Sequence, residues 1–113
     1  MAAACLFCRI VAGEIPAAKV AESERCLAFR DISPQAPTHV LVIPKVHVES
    51  LNELTDATLA GELFAMARDV AAAEGVAAGG YRVAVNTNAD GGQMVFHLHL
   101  HVLGGRKMKW PPG

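Results

Sequence analysis

The chain has no excess of either charge. Ten Lys and Arg stand against eleven Asp and Glu, a formal net charge of −1. That balance exerts no broad pull toward nucleic acid or an anionic membrane, so neither is expected as a partner. No apolar run approaches the roughly 18 residues needed to span a bilayer. Cysteine is sparse and odd in number: three cannot pair completely. The opening MAAACLFCRI has no basic segment leading into an apolar one, so no secretory signal is expected. A reducing, cytoplasmic compartment follows as the expectation. Cys5 and Cys8 then become candidates for metal binding or packing rather than for a disulfide. Internal repeats, low-complexity tracts and linkers are also missing.

What is present is apolar and compact in pattern. Of 113 residues, 52% are hydrophobic and 19% charged, which argues against disorder and for one domain over residues 1–113. Residues 5–12 predict a short helical turn closed by Gly13, and Pro16 keeps residues 14–16 extended. Lys19–Ala21 and Cys26–Arg30 predict two strands around a polar turn. The two prolines of residues 33–38 predict a loop, and His39–Ile43 a buried strand. A long helix is expected from about Thr55 to Glu74, with Leu59, Leu63, Met66 and Val70 on its apolar stripe. Thr55 or Asn52 would cap it and Gly75 would stop it. Tyr81–Asn86 predicts a strand, residues 89–92 a turn, and Val95–Leu103 a second alternating strand broken by Gly104 and Gly105. The sum is an α+β fold: about five antiparallel strands and one main helix. A single helix covers one sheet face, so the other face must carry a ligand site, loops or a partner.

Histidine is the compositional oddity, with five in the chain. Strand alternation would put His97, His99 and His101 on one face and Leu98, Leu100 and Val102 on the other. Neighbouring rings would stand roughly 6.6 Å apart, too far for all three to share one ion. A plain solvated face is one reading. The chemical reading is a row addressing an anionic substrate, because a neutral imidazole can attack phosphorus or an acyl centre and then leave. Asp90, Gly91, Gly92 and Gln93, just upstream, would add backbone N–H groups suited to phosphate oxygens.

The run GGQMVFHLHLHVL matches the histidine triad signature. CLAFRDISPQAPTHVLVIPKVH resembles the first half of the same family, and the ending GGRKMKWPPG looks like its purine nucleoside phosphoramidase branch. The similarity runs from about Cys5 to Gly113. It implies a homodimer that hydrolyses the P–N bond of purine nucleoside 5′-phosphoramidates with no cofactor required for the chemistry. By that resemblance His99 is the nucleophile, His101 contacts phosphate and leaving group, and His39 assists proton transfer. Asp31 would hold the ribose hydroxyls. Phe7, Ile10, Phe29 and Ile32 would wall the purine, and Asn86, Gly92, Gln93 and Val95 would line the phosphate side. Trp110 would lie near the partner's site. Met94 departs from the pattern, since many members carry Ser there.

Cys5-x-x-Cys8 is a common zinc half-site. Zinc-binding histidine triad proteins complete it with two histidines that map to His47 and His97, which implies a structural Zn²⁺. Without metal the same residues are packed thiols and a solvated ring. Cys26 has no such partner and reads as core. Two other functions remain open: a dinucleoside polyphosphate hydrolase, and a nucleotide-binding interaction module with incidental turnover.

Overall fold

The segment THVLVIP is apolar from Val40 onward, as suits a strand in the middle of a sheet. It forms strand β3 (Thr38–Pro44), buried at every position. In the computed structural model, which describes residues 4–113, β3 is the centre of one five-stranded antiparallel sheet. Its members are β1 (Lys19–Glu22), β2 (Cys26–Arg30), β3, β4 (Tyr81–Ala84) and β5 (Leu100–Gly104), in the order β1-β2-β3-β5-β4. The expected absence of a signal segment concerns in part the first three residues, which lie outside the described part. Among the described residues no helix is long and apolar enough to cross a membrane.

The period-2 alternation of the strands sorts their side chains onto two faces. Cys26, Ala28, Val40, Val42, Leu100 and Val102 face helix α2 (Ala57–Ala73). That helix answers with Leu59, Leu63, Ala67, Val70 and Ala71. Ala67 and Ala71, not Met66, carry the middle of the buried stripe, because their small side chains let the helix lie close on the sheet; Met66 is only half-buried at its edge. The opposite face carries Leu27, Phe29, Leu41 and Ile43. Short helix α1 (Leu6–Val11) covers part of it with Phe7 and Ile10. The rest of that face is open, and the histidines stand there.

Several expected boundaries move. Asp56, rather than Thr55 or Asn52, caps α2, its carboxylate accepting the Leu59 N–H at 3.0 Å. Thr55 lies one residue too early, and Asn52 belongs to a separate 3-10 turn at Leu51–Glu53. A cap of this kind contributes about 1 kcal/mol. β4 ends at Ala84 instead of Asn86, and the expected turn at residues 89–92 is a single helical turn, α3 (Asn88–Gly91), closed by left-handed Gly92. β5 continues through Gly104, where any side chain would strike Val76 (2.8 Å from a Cβ), and the chain turns at Gly105.

The largest difference concerns the last strand. It starts at Leu100, so His97 and His99 lie ahead of the ladder. The cause lies in β3, whose pairing with β5 ends at Val42–Leu100. Beyond it the Pro44 carbonyl accepts a hydrogen bond from the His97 ring, and the Leu98 N–H goes to Val48 O at 2.7 Å. Alternation nevertheless persists, with Leu98 packed on the α2 side and His97 and His99 on the other.

Candidate active site and metal centre

The open sheet face forms a cavity of about 780 Å³. α1 supplies Leu6, Phe7 and Ile10, β2 supplies Phe29 and Arg30, and the following loop supplies Asp31, Ile32 and Gln35. His39, His99 and His101 form its polar end, with Asn86, Gly92, Met94 and Val95 beside them. Phe7 meets Phe29 edge-on at 5.4 Å between ring centroids. Ile32 is fully exposed at the cavity rim, so it is a wall only when something lies against it. Of the residues expected here, Asp90, Gly91 and Gln93 do not line the cavity; the first two belong to the α3 turn, and Gln93 points away. Its side chain is consumed in fold contacts, accepting from Asn88 N at 2.9 Å and donating to Glu49 O and Val95 O. The N–H groups of Gly92 and Gln93 close the helical turn onto Ala89 O and Asn88 O, so they are not free for phosphate. Met94 and Val95, next in the chain, border the cavity.

Hydrogen bonding assigns each ring its tautomer. The Gln35 N–H donates to His39 Nδ1 at 3.0 Å, so neutral His39 carries its proton on Nε2. That Nε2–H donates to His101 Nδ1 at 2.9 Å, which places the His101 proton on Nε2. His99 donates Nδ1–H to the carbonyl of His97 at 2.7 Å, which leaves Nε2 with a free lone pair. The rings of His99 and His101 lie 4.9 Å apart, closer than an ideal strand would bring them. The site therefore pairs one acceptor nitrogen on His99 with one donor N–H on His101.

Electrostatics keep these rings neutral. Burial lowers His99 below the ordinary imidazole range, with Asp31 opposing weakly. Burial, then the neighbouring His99 and His39, pushes His101 down to about 4. Burial also lowers His39, against the pull of Asp31, whose carboxylate stands 3.5 Å from His39 Nε2. The other Asp31 oxygen accepts the Ser33 N–H at 2.8 Å, fixing the carboxylate at the cavity edge. Asp31, His39 and His101 converge within 4.8 Å, a separation a metal could bridge. The hydrogen bonding does not suit one, because Gln35 occupies Nδ1 of His39 and forces the proton onto the nitrogen a metal would need.

A second cluster lies behind the cavity. Cys5, Cys8, His47 and His97 bring one donor atom each within 4.8 Å of the others. His97 is fully buried, and its Nε2–H donates to Pro44 O at 2.8 Å, leaving Nδ1 as the ligand nitrogen. Nδ1 lies 3.3 Å from Cys5 Sγ and 3.5 Å from Cys8 Sγ, and His47 Nδ1 lies 3.3 Å from Cys8 Sγ. A tetrahedral zinc with ordinary bond lengths sets sulfur and nitrogen ligands about 3.5 Å apart, so the residues fit that ion. Without metal, burial and the adjacent Cys5 push the Cys8 thiol up to about 11. Cys26 is wholly buried on the α2 side and takes no part.

Sequence reasoning missed Gln35, whose main-chain N–H sets the tautomer of His39, and the carbonyls of Pro44 and His97 that orient two rings. Main-chain groups leave no signal in side-chain pattern. Leu6, Ile15 and Leu41 were also missed as cavity walls, since they read as ordinary core or surface.

A family model described as the HIT domain matches residues 12–108. An uncharacterized HIT-like protein of Synechococcus elongatus is 50% identical over 110 residues, 96% of each chain. A 14 kDa zinc-binding protein of Zea mays is 49% identical over 113 residues, covering 96% of this chain and 87% of its own. Among solved structures, a HIT family hydrolase from Legionella pneumophila superposes with a TM-score of 0.93 at 53% identity, over 96% of this chain and 99% of that one.

Proposed function

Because the chain belongs to the HIT domain family, we propose that it is a nucleotide hydrolase that cleaves the P–N bond of purine nucleoside 5′-phosphoramidates through a nucleotidyl-His99 intermediate. The observation that carries this reading is the tautomer of His99. Its Nδ1–H is held by the His97 carbonyl, so Nε2 is an unprotonated nucleophile at the cavity. The His101 Nε2–H is a matched donor nearby.

In the first step His99 Nε2 bonds to phosphorus as the P–N bond breaks. The leaving nitrogen departs as the amine after accepting a proton through His101 Nε2; the His39–His101 pair takes up that extra proton as the anionic phosphate binds beside it, so neither ring is left as an imidazolate. The His97 carbonyl stabilises the positive charge then carried by the His99 ring. In the second step water attacks phosphorus, the P–Nε2 bond breaks, and the His39–His101 pair recovers its proton. Phe7, Ile10, Phe29 and Ile32 would enclose the base, and Asp31 would accept the ribose hydroxyls. Bound base would cover Ile32, which is otherwise entirely exposed. Neutral buried rings suit a nucleophile, which acid would disable.

The cluster of Cys5, Cys8, His47 and His97 would hold a structural zinc; the Zea mays relative is named a zinc-binding protein. Zinc there would tie α1 to the turn after β3 without entering the chemistry. A homodimer is also part of the reading. β4 is an edge strand, and Trp110 stands 81% exposed in a tail tethered by Arg82 to Lys109 O.

Turnover of an adenosine 5′-phosphoramidate compared with diadenosine polyphosphates tests the substrate class. The reading expects a higher kcat/KM for the phosphoramidate. Preference for the polyphosphate would replace it with the other hydrolase, and binding without turnover with a nucleotide-binding module.

A further inference from the structure

His97 belongs to two sites at once. Its ring faces the thiols of Cys5 and Cys8, while its main-chain carbonyl holds His99 Nδ1–H at 2.7 Å. Residues 95–99 lie outside the sheet ladder, so strand pairing does not fix either ring in place. The Leu98 N–H bond to Val48 O holds the main chain there, while the ring of His97 is held by the thiol cluster and by Pro44 O.

A second connection runs through Phe7. It lies between Cys5 and Cys8 on α1, with its ring centroid 5.8 Å from His97 and 5.2 Å from His99. It also lines the cavity beside Phe29. α1 has six residues, too few to hold a helix by its own hydrogen bonds. Whatever rearranges Cys5 and Cys8 therefore shifts Phe7.

Both cysteines keep part of their surface exposed, within reach of a small oxidant, while Cys26 is shut away. Their sulfurs lie within 4.8 Å of each other, and three-residue spacing at the start of a helix puts side chains on one side. We propose that Cys5 and Cys8 form a reversible thiol switch on the active site, in which their disulfide frees the ring of His97 and moves Phe7, so that His99 loses its anchored geometry. The inference rests on the hydrolase reading for its effect on rate, and on the geometry alone for its effect on the rings.

With hydrogen peroxide as oxidant the two thiolates give up two electrons and the S–S bond forms. The peroxide O–O bond breaks and, with two protons taken up, yields two waters. Only His47 and His97 then remain as ligands, too few for a closed zinc site. A dithiol reductant reverses the step by thiol–disulfide exchange.

The test uses the full chain, reduced and zinc-loaded, before and after peroxide. Peptide mapping should find a Cys5–Cys8 disulfide, and a chromophoric chelator should detect zinc released with it. Without any substrate, the ¹⁵N spectrum of the His99 ring should show a single Nδ1–H tautomer before oxidation and lose it afterwards. Single-turnover cleavage of an adenosine phosphoramidate should fall at least 10-fold, since a displacement of about 1 Å costs on the order of 100-fold. Dithiothreitol with zinc should restore both readouts. Cys26→Ala should switch like wild type, and Cys8→Ser should show no further fall on oxidation. If the disulfide forms and zinc leaves but the His99 spectrum stays unchanged, the switch is refuted; it is equally refuted if no Cys5–Cys8 bond forms. Absence of phosphoramidate turnover in the reduced protein would instead sink the hydrolase reading, while the ring spectrum would still decide the switch.

Discussion

His99 donates its Nδ1–H to the main-chain carbonyl of His97, two residues earlier, at 2.7 Å. One hydrogen bond within the triad thus leaves the free lone pair of the middle ring on Nε2. The same His97 presents Nδ1 to Cys5 and Cys8. The middle and first rings have separate chemistry but a shared backbone.

Acid should switch the enzyme off later than an ordinary imidazole would. On the proposed mechanism the nucleophile acts only when neutral, and burial holds His99 below its unperturbed value near 6.5. Rate is therefore full above that pH and is lost as pH falls through the lowered value. A kcat/KM profile should have its acid limb below pH 6.5. A limb centred above pH 7 would contradict the burial argument.

Cys8→Ser should remove metal and weaken the fold. Serine is a poor zinc ligand, and three remaining donors do not close a tetrahedral site. Native mass spectrometry should find one zinc per wild-type chain and none in the variant. The melting temperature should drop by several degrees, since metal binding free energy contributes to folding. Wild-type protein free of metal and equally stable would return both cysteines to simple packing.

Met94→Ser should raise turnover. Met94 is 87% exposed at the cavity, where its thioether offers no donor. A hydroxyl there would supply one hydrogen bond to the phosphate or the bridging nitrogen. Such a bond to a charged group contributes roughly 1.5–3 kcal/mol, or about 10–150-fold in rate if made only in the transition state. Single-turnover rates should differ by about 10-fold or more, with little change in nucleoside monophosphate affinity. Rates within twofold of each other would leave Met94 as a space-filling residue.

The faces of the sheet were legible because alternation survives where pairing does not. Leu98, Leu100 and Val102 read as core from spacing alone and pack under α2. The ladder's start at Leu100 was not legible, because it depends on where β3 stops offering backbone partners. The same limit explains Gln93 and the Gly92 amide, which sequence assigned to phosphate. Their groups are taken up by a helical turn whose closure onto Asn88 and Ala89 no side-chain pattern announces. Cys5 and Cys8 were readable as a pair from their three-residue spacing. That His47 and His97 complete the set came from the family resemblance and not from spacing, and the fold brings these positions, 39 to 92 residues apart, together.

The most direct test of the account is chemical trapping of the intermediate. Wild-type protein mixed with an adenosine 5′-phosphoramidate and acid-labile-safe quenched within the first turnover should carry adenylate on the peptide containing His99, bonded at Nε2. His99→Ala should keep nucleotide affinity, because base and ribose contacts lie elsewhere, and lose on the order of 10⁴-fold in rate. Adenylate on a different residue, or an alanine variant that still turns over, would contradict the assignment of His99 as the nucleophile.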